Sequence, residues 1–112
     1  MSIIAVADMF STSDARDELA IALEHAEREA AKRPGCIRYS FAAMLTDPNH
    51  FVLVSEWEND AALDAHYASP EFASFQFSLH DLLARESEMT VYSVSRSARP
   101  LASGPMDPRD AD

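Results

Sequence analysis

The chain has 112 residues and carries nine basic against nineteen acidic side chains, a net charge of −10 with neutral histidines. This length supports one domain with a single hydrophobic core. The negative charge is spread along the sequence without a basic patch, which disfavours nucleic acid and anionic membranes as partners. Cys36 is the single cysteine, so no intrachain disulfide can form and a cytoplasmic location is expected. Because Asp8 interrupts the first apolar run, we expect no signal peptide or membrane span.

The first half of the chain predicts a strand, a helix and a β-hairpin. Ser, Thr and Asp residues that favour helix starts follow the first apolar run, and Pro34-Gly35 ends the helical pattern. The predicted elements are, in chain order, a strand over 2–10, a helix from the cap at 11–13 to about 33, and strands over 36–45 and 51–57.

The predicted hairpin aligns aromatic side chains along one face of the sheet. Pairing Leu45 with Phe51 places Tyr39 opposite Trp57 and Phe41 opposite Ser55. That face is nearly all apolar and aromatic, so it should point towards the covering helices.

The second half predicts two helices and a final strand. Asn59 or Asp60 can cap the first of these helices, and Ser69-Pro70 begins a second helix that should extend to about Arg85. A strand is predicted over 88–96. The residues 97–112 contain three of the six prolines and predict a tail without a core, so the expected division is a domain over 1–96 and a tail over 97–112.

This order of elements predicts an α+β fold of the ferredoxin-like βαββαβ type, a four-stranded antiparallel sheet with helices on one face. The uncovered face should carry the apolar side chains Ala42, Met44, Val52 and Val54. A symmetric homodimer that joins two sheets would bury this face.

His66 is the strongest candidate for a catalytic residue. It shares a helix face with Leu63 and Tyr67, so its imidazole should point towards Trp57 and Tyr39. A histidine there could serve as a general base, or be a core histidine satisfied by a backbone carbonyl or by Glu56. The aromatic residues could hold a planar ligand or simply pack the core.

The predicted faces supply further candidates for substrate binding. Phe41 and Ser55 share the sheet face of Tyr39 and Trp57, and Phe72 and Gln76 share the inner face of the last helix. The four histidines are scattered, and none is spaced as a metal pair on one helix, so no metal site is predicted.

Several segments together resemble the antibiotic biosynthesis monooxygenase domain family of the dimeric α/β-barrel superfamily. The resemblance covers roughly 3–94 and is nearest to the quinol monooxygenase subgroup. It is carried by Pro34-Gly35-Cys36 with Tyr39, by FVLVSEW over 51–57, by Ala61-Ala62-Leu63 with His66, and by Ser69-Pro70-Glu71-Phe72.

The resemblance implies a homodimer with a pocket between sheet and helices in each subunit. It also implies oxidation of a quinol or a polyketide-like phenol with O2, without metal or flavin, through an electron-rich substrate anion. His66 would then be the base or hydrogen-bonding group, and Tyr39 and Trp57 would hold the small aromatic substrate.

The sequence also departs from known members of the family. Polyketide-oxidising members have an Asn where Leu53 stands and a helix Arg near Phe77, and haem-degrading members have a Trp at His66 and a His at Gln76. The resemblance therefore leaves two alternatives open: an isomerase of a small metabolite in the same pocket, and a dimer that binds a ligand without catalysis.

Overall fold

The computed structural model describes residues 2–99 as a four-stranded antiparallel sheet with three α-helices on one face. The strands are β1 (Ile3–Phe10), β2 (Cys36–Ala43), β3 (His50–Trp57) and β4 (Glu88–Ser93), and the helices are α1 (Arg16–Ala30), α2 (Asp60–Tyr67) and α3 (Pro70–Leu79). This is the predicted ferredoxin-like α+β fold.

The strand order β2-β3-β1-β4 places β1 and β3 at the centre of the sheet. Along both central strands, buried residues alternate with half-buried ones. The buried side chains of β1 and β3 face the helices, because successive side chains of a strand point to opposite faces. The half-buried ones form the open face of the sheet.

The predicted register of the β2–β3 hairpin is wrong by two residues. Tyr39 pairs with Ser55 and Phe41 with Leu53, because β2 ends at Ala43 and Leu45 belongs to the loop, where it is fully exposed. A shift of two residues keeps the side chains of residues 38–43 on their predicted faces. An irregularity between 36 and 38 then places Cys36, not Tyr39, opposite Trp57.

The turn between α1 and β2 depends on Gly35. Its φ is +80°, a left-handed conformation that other residues rarely adopt. A Cβ at this position would lie 2.5 Å from the Cβ of Ala62 in α2. The Gly35 carbonyl accepts a hydrogen bond from the N–H of Glu58 at 2.9 Å. Gly35 therefore allows the turn to pack closely against the start of α2.

Side-chain caps start α2 and α3 as predicted. The Asn59 side chain accepts a hydrogen bond from the N–H of Ala62, and Ser69 accepts one from the N–H of Phe72. The helix α3 ends at Leu79, well before the predicted end near 85, because the chain then turns back to β1. There the N–H of Ala84 donates to the carbonyl of Phe10 at 2.7 Å.

The helix α1 starts later than predicted and covers the edge strand β2. A short 3-10 turn over Ser13–Ala15 precedes it. Near its C-terminal end, the carboxylate of Glu27 accepts a hydrogen bond at 2.9 Å from the backbone N–H of Phe41. The packing of α1 is thus fixed by buried Leu19, Leu23 and Ala30 and by this contact to β2.

The residues after β4 fall largely outside this description. The strand β4 ends at Ser93, before the predicted 96, and residues 94–99 have no regular secondary structure. Most of the predicted tail, residues 100–112, lies outside the described residues. Within the described part of the chain, no helix is long and apolar enough to cross a lipid bilayer.

Candidate functional site

His66 lies at the centre of an aromatic cluster between the sheet and the helices α2 and α3. It is 95% buried, with an exposed fraction of 5%. Its imidazole stacks on the indole of Trp57 with ring centroids 4.9 Å apart. Tyr39, Phe72 and Tyr67 contribute further rings, with centroids 5.4, 5.0 and 5.5 Å from the imidazole. The predicted meeting of an imidazole, an indole and a phenol is therefore present.

Within residues 2–99, neither ring nitrogen of His66 has a hydrogen-bond partner. The indole N–H of Trp57 is likewise buried without a partner. Buried polar atoms are nearly always hydrogen-bonded, and each exception costs free energy. Within that part of the chain, neither a backbone carbonyl nor Glu56 accepts a hydrogen bond from the imidazole, so its hydrogen-bonding capacity is left for another group.

Burial, and then the nearby positive charge of Arg33, lower the pKa of His66 from 6.5 to about 4. The imidazole is therefore neutral at neutral pH. A neutral imidazole offers one N–H donor and one acceptor nitrogen, so His66 can accept a proton from a ligand.

The two tyrosines beside His66 remain protonated. Burial, and then the neighbouring Tyr67 and Cys36, raise the pKa of Tyr39, and burial raises the pKa of Tyr67. The Tyr67 hydroxyl donates to the sulfur of Met89 in β4 at 2.7 Å. Tyr39 therefore brings a neutral phenol to the cluster, and Tyr67 connects α2 to the edge strand.

A cavity of about 690 Å³ lies between α1 and α3, and Tyr39 and His66 are among the buried residues that line it. Its volume is in the range of pockets that bind small molecules. Phe72 and Phe75 of α3 form one wall, with small apolar residues of α1 on the other side. The cavity suits a planar, largely apolar ligand.

Charged side chains surround the mouth of the cavity. Lys32 pairs with Glu29 at 3.4 Å on the surface of α1. Arg33 also lines the cavity and is three-quarters buried, with 25% of its side chain exposed. Sequence reasoning did not single out Arg33; the available signal was its position at the end of the predicted helix, directly before Pro34-Gly35.

Three other predicted substrate-binding residues, Phe41, Ser55 and Gln76, do not line the cavity. Phe41 lies behind the cavity, in contact with the rings of Tyr39 and Phe75. Ser55 is buried beneath the helices and donates to the carbonyl of Ala5 at 3.3 Å. Gln76 is exposed and lines a separate shallow groove. The structure thus brings Tyr39, His66 and Phe72 to the cavity, with Trp57 behind His66, and the role of each remains a prediction.

Among residues 2–99, no group of three His, Cys, Asp or Glu side chains is placed to hold a metal ion. Cys36 is half-buried, and its burial raises the pKa of the thiol.

Solved structures with the same fold come from several bacteria. A candidate antibiotic biosynthesis monooxygenase from Deinococcus radiodurans is 21% identical, with a TM-score of 0.84 over 88% of this chain and 98% of that one. Rv0793 from Mycobacterium tuberculosis is 23% identical, with a TM-score of 0.82 over 88% and 100%. A variant of SnoaB, a cofactor-independent oxygenase from Streptomyces nogalater, is 19% identical, with a TM-score of 0.76 over 86% and 95%.

A relative with higher identity is the uncharacterized protein sll1783 of Synechocystis sp. (strain ATCC 27184 / PCC 6803 / Kazusa). It is 36% identical over 95 residues, which are 84% of this chain and 65% of that protein. The chain thus spans just under two thirds of the length of this relative. The family model described as "Antibiotic biosynthesis monooxygenase" matches residues 2–77, from β1 through most of α3. The chain therefore belongs to the antibiotic biosynthesis monooxygenase family.

Proposed function

We propose that the protein is a monooxygenase that oxidises a quinol or a polyketide-like phenol with O2 and needs no metal or flavin. The observation that carries this proposal is the buried His66 imidazole, which has no hydrogen-bond partner in the described part of the chain and lies at an aromatic cavity of about 690 Å³. Membership of the family supports the same reaction class.

His66 accepts the proton of the substrate hydroxyl in the first step. The neutral imidazole has a free acceptor nitrogen, and the transfer leaves an imidazolium beside a substrate anion. Protonating a group whose pKa is about 4 is costly in the free protein. The attraction between the two new charges offsets that cost, because it acts in a site from which water is largely excluded.

The substrate itself supplies all the electrons for the reduction of oxygen. The anion transfers electrons to O2 and one oxygen atom bonds to a ring carbon. The other oxygen atom leaves as water with two protons from the substrate. A quinol thus gives a hydroxyquinone and water, and a phenol gives a quinone and water, with atoms and electrons balanced.

A ligand reaches His66 only if a side chain moves. Both ring nitrogens are shielded from solvent by the surrounding rings, among which Phe72 is half-buried and also lines the cavity. A rotation of Phe72 about its side-chain torsions would expose the imidazole to a ligand. In its present position Phe72 keeps water away from His66 until a substrate enters.

We further propose that two copies of the chain associate through the open face of the sheet. This face carries half-buried Ile4, Val6, Val52 and Val54 at its centre. On the same face, Nε2 of His50 lies 2.7 Å from Oδ1 of Asp8. Contiguous apolar side chains on an uncovered sheet face are typical of interfaces.

Oxygen uptake by the purified, metal-free protein tests the proposed reaction. The substrates are a panel of benzoquinols, naphthoquinols and anthrones, and isotopically labelled O2 shows whether one oxygen atom enters the product. We expect His66→Ala to lower the rate of uptake at least about a hundredfold, the usual contribution of a general base. Trp57→Phe removes the unpartnered indole N–H and should lower the rate less.

The matched control is His80→Ala, because His80 is exposed and lies outside the cavity. This variant should retain wild-type uptake. Uptake that survives in folded His66→Ala would remove the base role, and the absence of uptake above autoxidation throughout the panel would overturn the oxygenase proposal.

The same neutral imidazole also suits proton transfer within a small carbonyl compound, which is the chemistry of an isomerase. Turnover of such a compound under anaerobic conditions would favour this second candidate. Saturable binding without any product by mass spectrometry would instead favour a dimer that only binds a ligand.

A further inference from the structure

We infer that Arg33 binds a carboxylate on the substrate, so the cavity selects phenols that carry an acidic group over neutral ones. This inference rests on the proposed function for the phenolic part of the ligand and adds a second anchoring point. It assigns Arg33 as a residue that determines specificity rather than one that reacts.

The contacts of Arg33 leave most of its hydrogen-bonding capacity unused. Among residues 2–99, one guanidinium N–H donates to the backbone carbonyl of Ala65 at 3.4 Å, and Nη1 lies 4.0 Å from the carboxylate of Glu71. The second distance is longer than a hydrogen bond. A guanidinium has five N–H donors arranged to hold a carboxylate with two parallel bonds. Arg33 therefore retains donors for a ligand.

The other rim cation is paired on the surface. Lys32 lies within 3.4 Å of Glu29, and 73% of its side chain is exposed. Arg33 is much more buried, so its charge is less screened by solvent and acts further into the cavity. The lowered pKa of His66 is consistent with a positive charge that reaches the floor of the cavity.

A local cation matters because the chain as a whole repels anions, with a net charge of −10. One buried guanidinium matches a singly charged carboxylate. A doubly charged phosphate would also find only this one guanidinium, and its second negative charge would be repelled by Glu29 and Glu71 at the same rim. The charge balance at the mouth therefore favours a carboxylate.

The carboxylate would also assist the proton transfer. Once a carboxylate binds Arg33, the positive charge that opposes protonation of His66 is neutralised, and the pKa of His66 should rise. An acidic substrate would thus make His66 a better proton acceptor than a neutral substrate does, while the larger effect of burial on the pKa remains.

The test compares the binding of gentisate, a benzoquinol with one carboxylate, with that of its methyl ester. Calorimetry under anaerobic conditions measures affinity without turnover. We expect gentisate to bind the wild-type protein at least about tenfold more tightly than the ester, and Arg33→Met to abolish this preference while ester binding stays unchanged. Arg28→Met is the matched control, because Arg28 lies on the exposed side of α1 and pairs with Glu24 at 2.8 Å.

Glu71→Gln provides a second measurement that does not depend on the folding of the Arg33 variant. Removing the carboxylate nearest to Arg33 should strengthen gentisate binding and leave the ester unaffected. Arg33 could instead serve only to bind the carbonyl of Ala65 near the end of α2. In that case Arg33→Met would lower stability, and acid and ester would bind alike in every folded variant.

Failure of this inference can be distinguished from failure of the proposed function. A preference for the acid that depends on Arg33, without oxygen uptake, supports the binding site and removes the oxygenase. Equal binding of acid and ester, or no measurable binding of gentisate, overturns the role of Arg33. This conclusion is independent of the oxygen-uptake result.

Discussion

The His66 imidazole couples the chemistry of the site to the stability of the protein. A partly exposed histidine would titrate with its ordinary pKa and keep water as a hydrogen-bond partner. Among residues 2–99, no group hydrogen-bonds the ring nitrogens of His66, which Trp57, Tyr39 and Phe72 enclose. Such an arrangement costs stability and is typical of sites where function requires the group.

Acidification should destabilise the protein through His66. The unfolded imidazole takes up a proton as the pH falls through its ordinary pKa of 6.5, whereas the folded one resists until about 4. The stability is therefore complete above 6.5 and is lost as the pH falls towards 4. From this shift we expect about 2 kcal/mol less free energy of unfolding at about pH 5 than at about pH 7.5.

Urea denaturation of wild-type protein and His66→Leu at both pH values measures this effect. The leucine variant should lose most of the difference between the two pH values. His25→Gln, which alters an exposed histidine of α1, should retain it. An equal pH dependence in wild-type protein and His66→Leu would contradict the assignment.

The turn at Gly35 holds α1, β2 and α2 together at the level of secondary structure elements. Replacing Gly35 with Ala should lower the free energy of unfolding by about 1–3 kcal/mol, because the left-handed backbone disfavours a side chain. The added Cβ would also collide with Ala62.

A double-mutant cycle separates the two causes. Ala62→Gly removes the atom that collides, so Gly35→Ala should cost less in that background than in the wild-type protein. Identical costs in both backgrounds would show that the collision contributes nothing and that backbone conformation accounts for the whole effect.

The elements themselves could largely be predicted from the sequence. The faces of the strands follow from the two-residue period, and Asn59 and Ser69 start their helices as expected. The end of α3 could not be predicted. The backbone N–H of Ala84 hydrogen-bonds to β1, so the helix does not continue to that residue. Local propensity contains no information on that distant partner.

The candidate site was predictable only in part. The helical spacing that buries His66 is visible in the sequence, and so are the aromatic residues that meet it. The burial of Arg33 next to the exposed Lys32 could not be predicted from the sequence. Side chains in a turn do not alternate between faces with a fixed period, as they do in a strand or a helix. The lack of a hydrogen-bond partner for the imidazole among residues 2–99 depends on the three-dimensional packing, so it could not be predicted from the sequence.

For the whole molecule we predict a homodimer that depends on the open face of the sheet. Val54→Lys places a charge at the centre of that face and should give a monomer of 12.4 kDa by light scattering after size-exclusion chromatography. Phe77→Lys is the control, because Phe77 is 85% exposed on α3, in the helical layer. A wild-type monomer, or a Val54→Lys dimer, would contradict this interface.

The contact between Glu27 and the N–H of Phe41 bears on how copies of the chain can meet. Edge strands present unpaired backbone groups that can template the addition of another strand. At β2 the carboxylate already occupies one of these donors, and an incoming strand would have to displace it. Edge-to-edge growth into open, fibre-like assemblies is thereby obstructed at β2, whereas association through the face of the sheet closes after two copies.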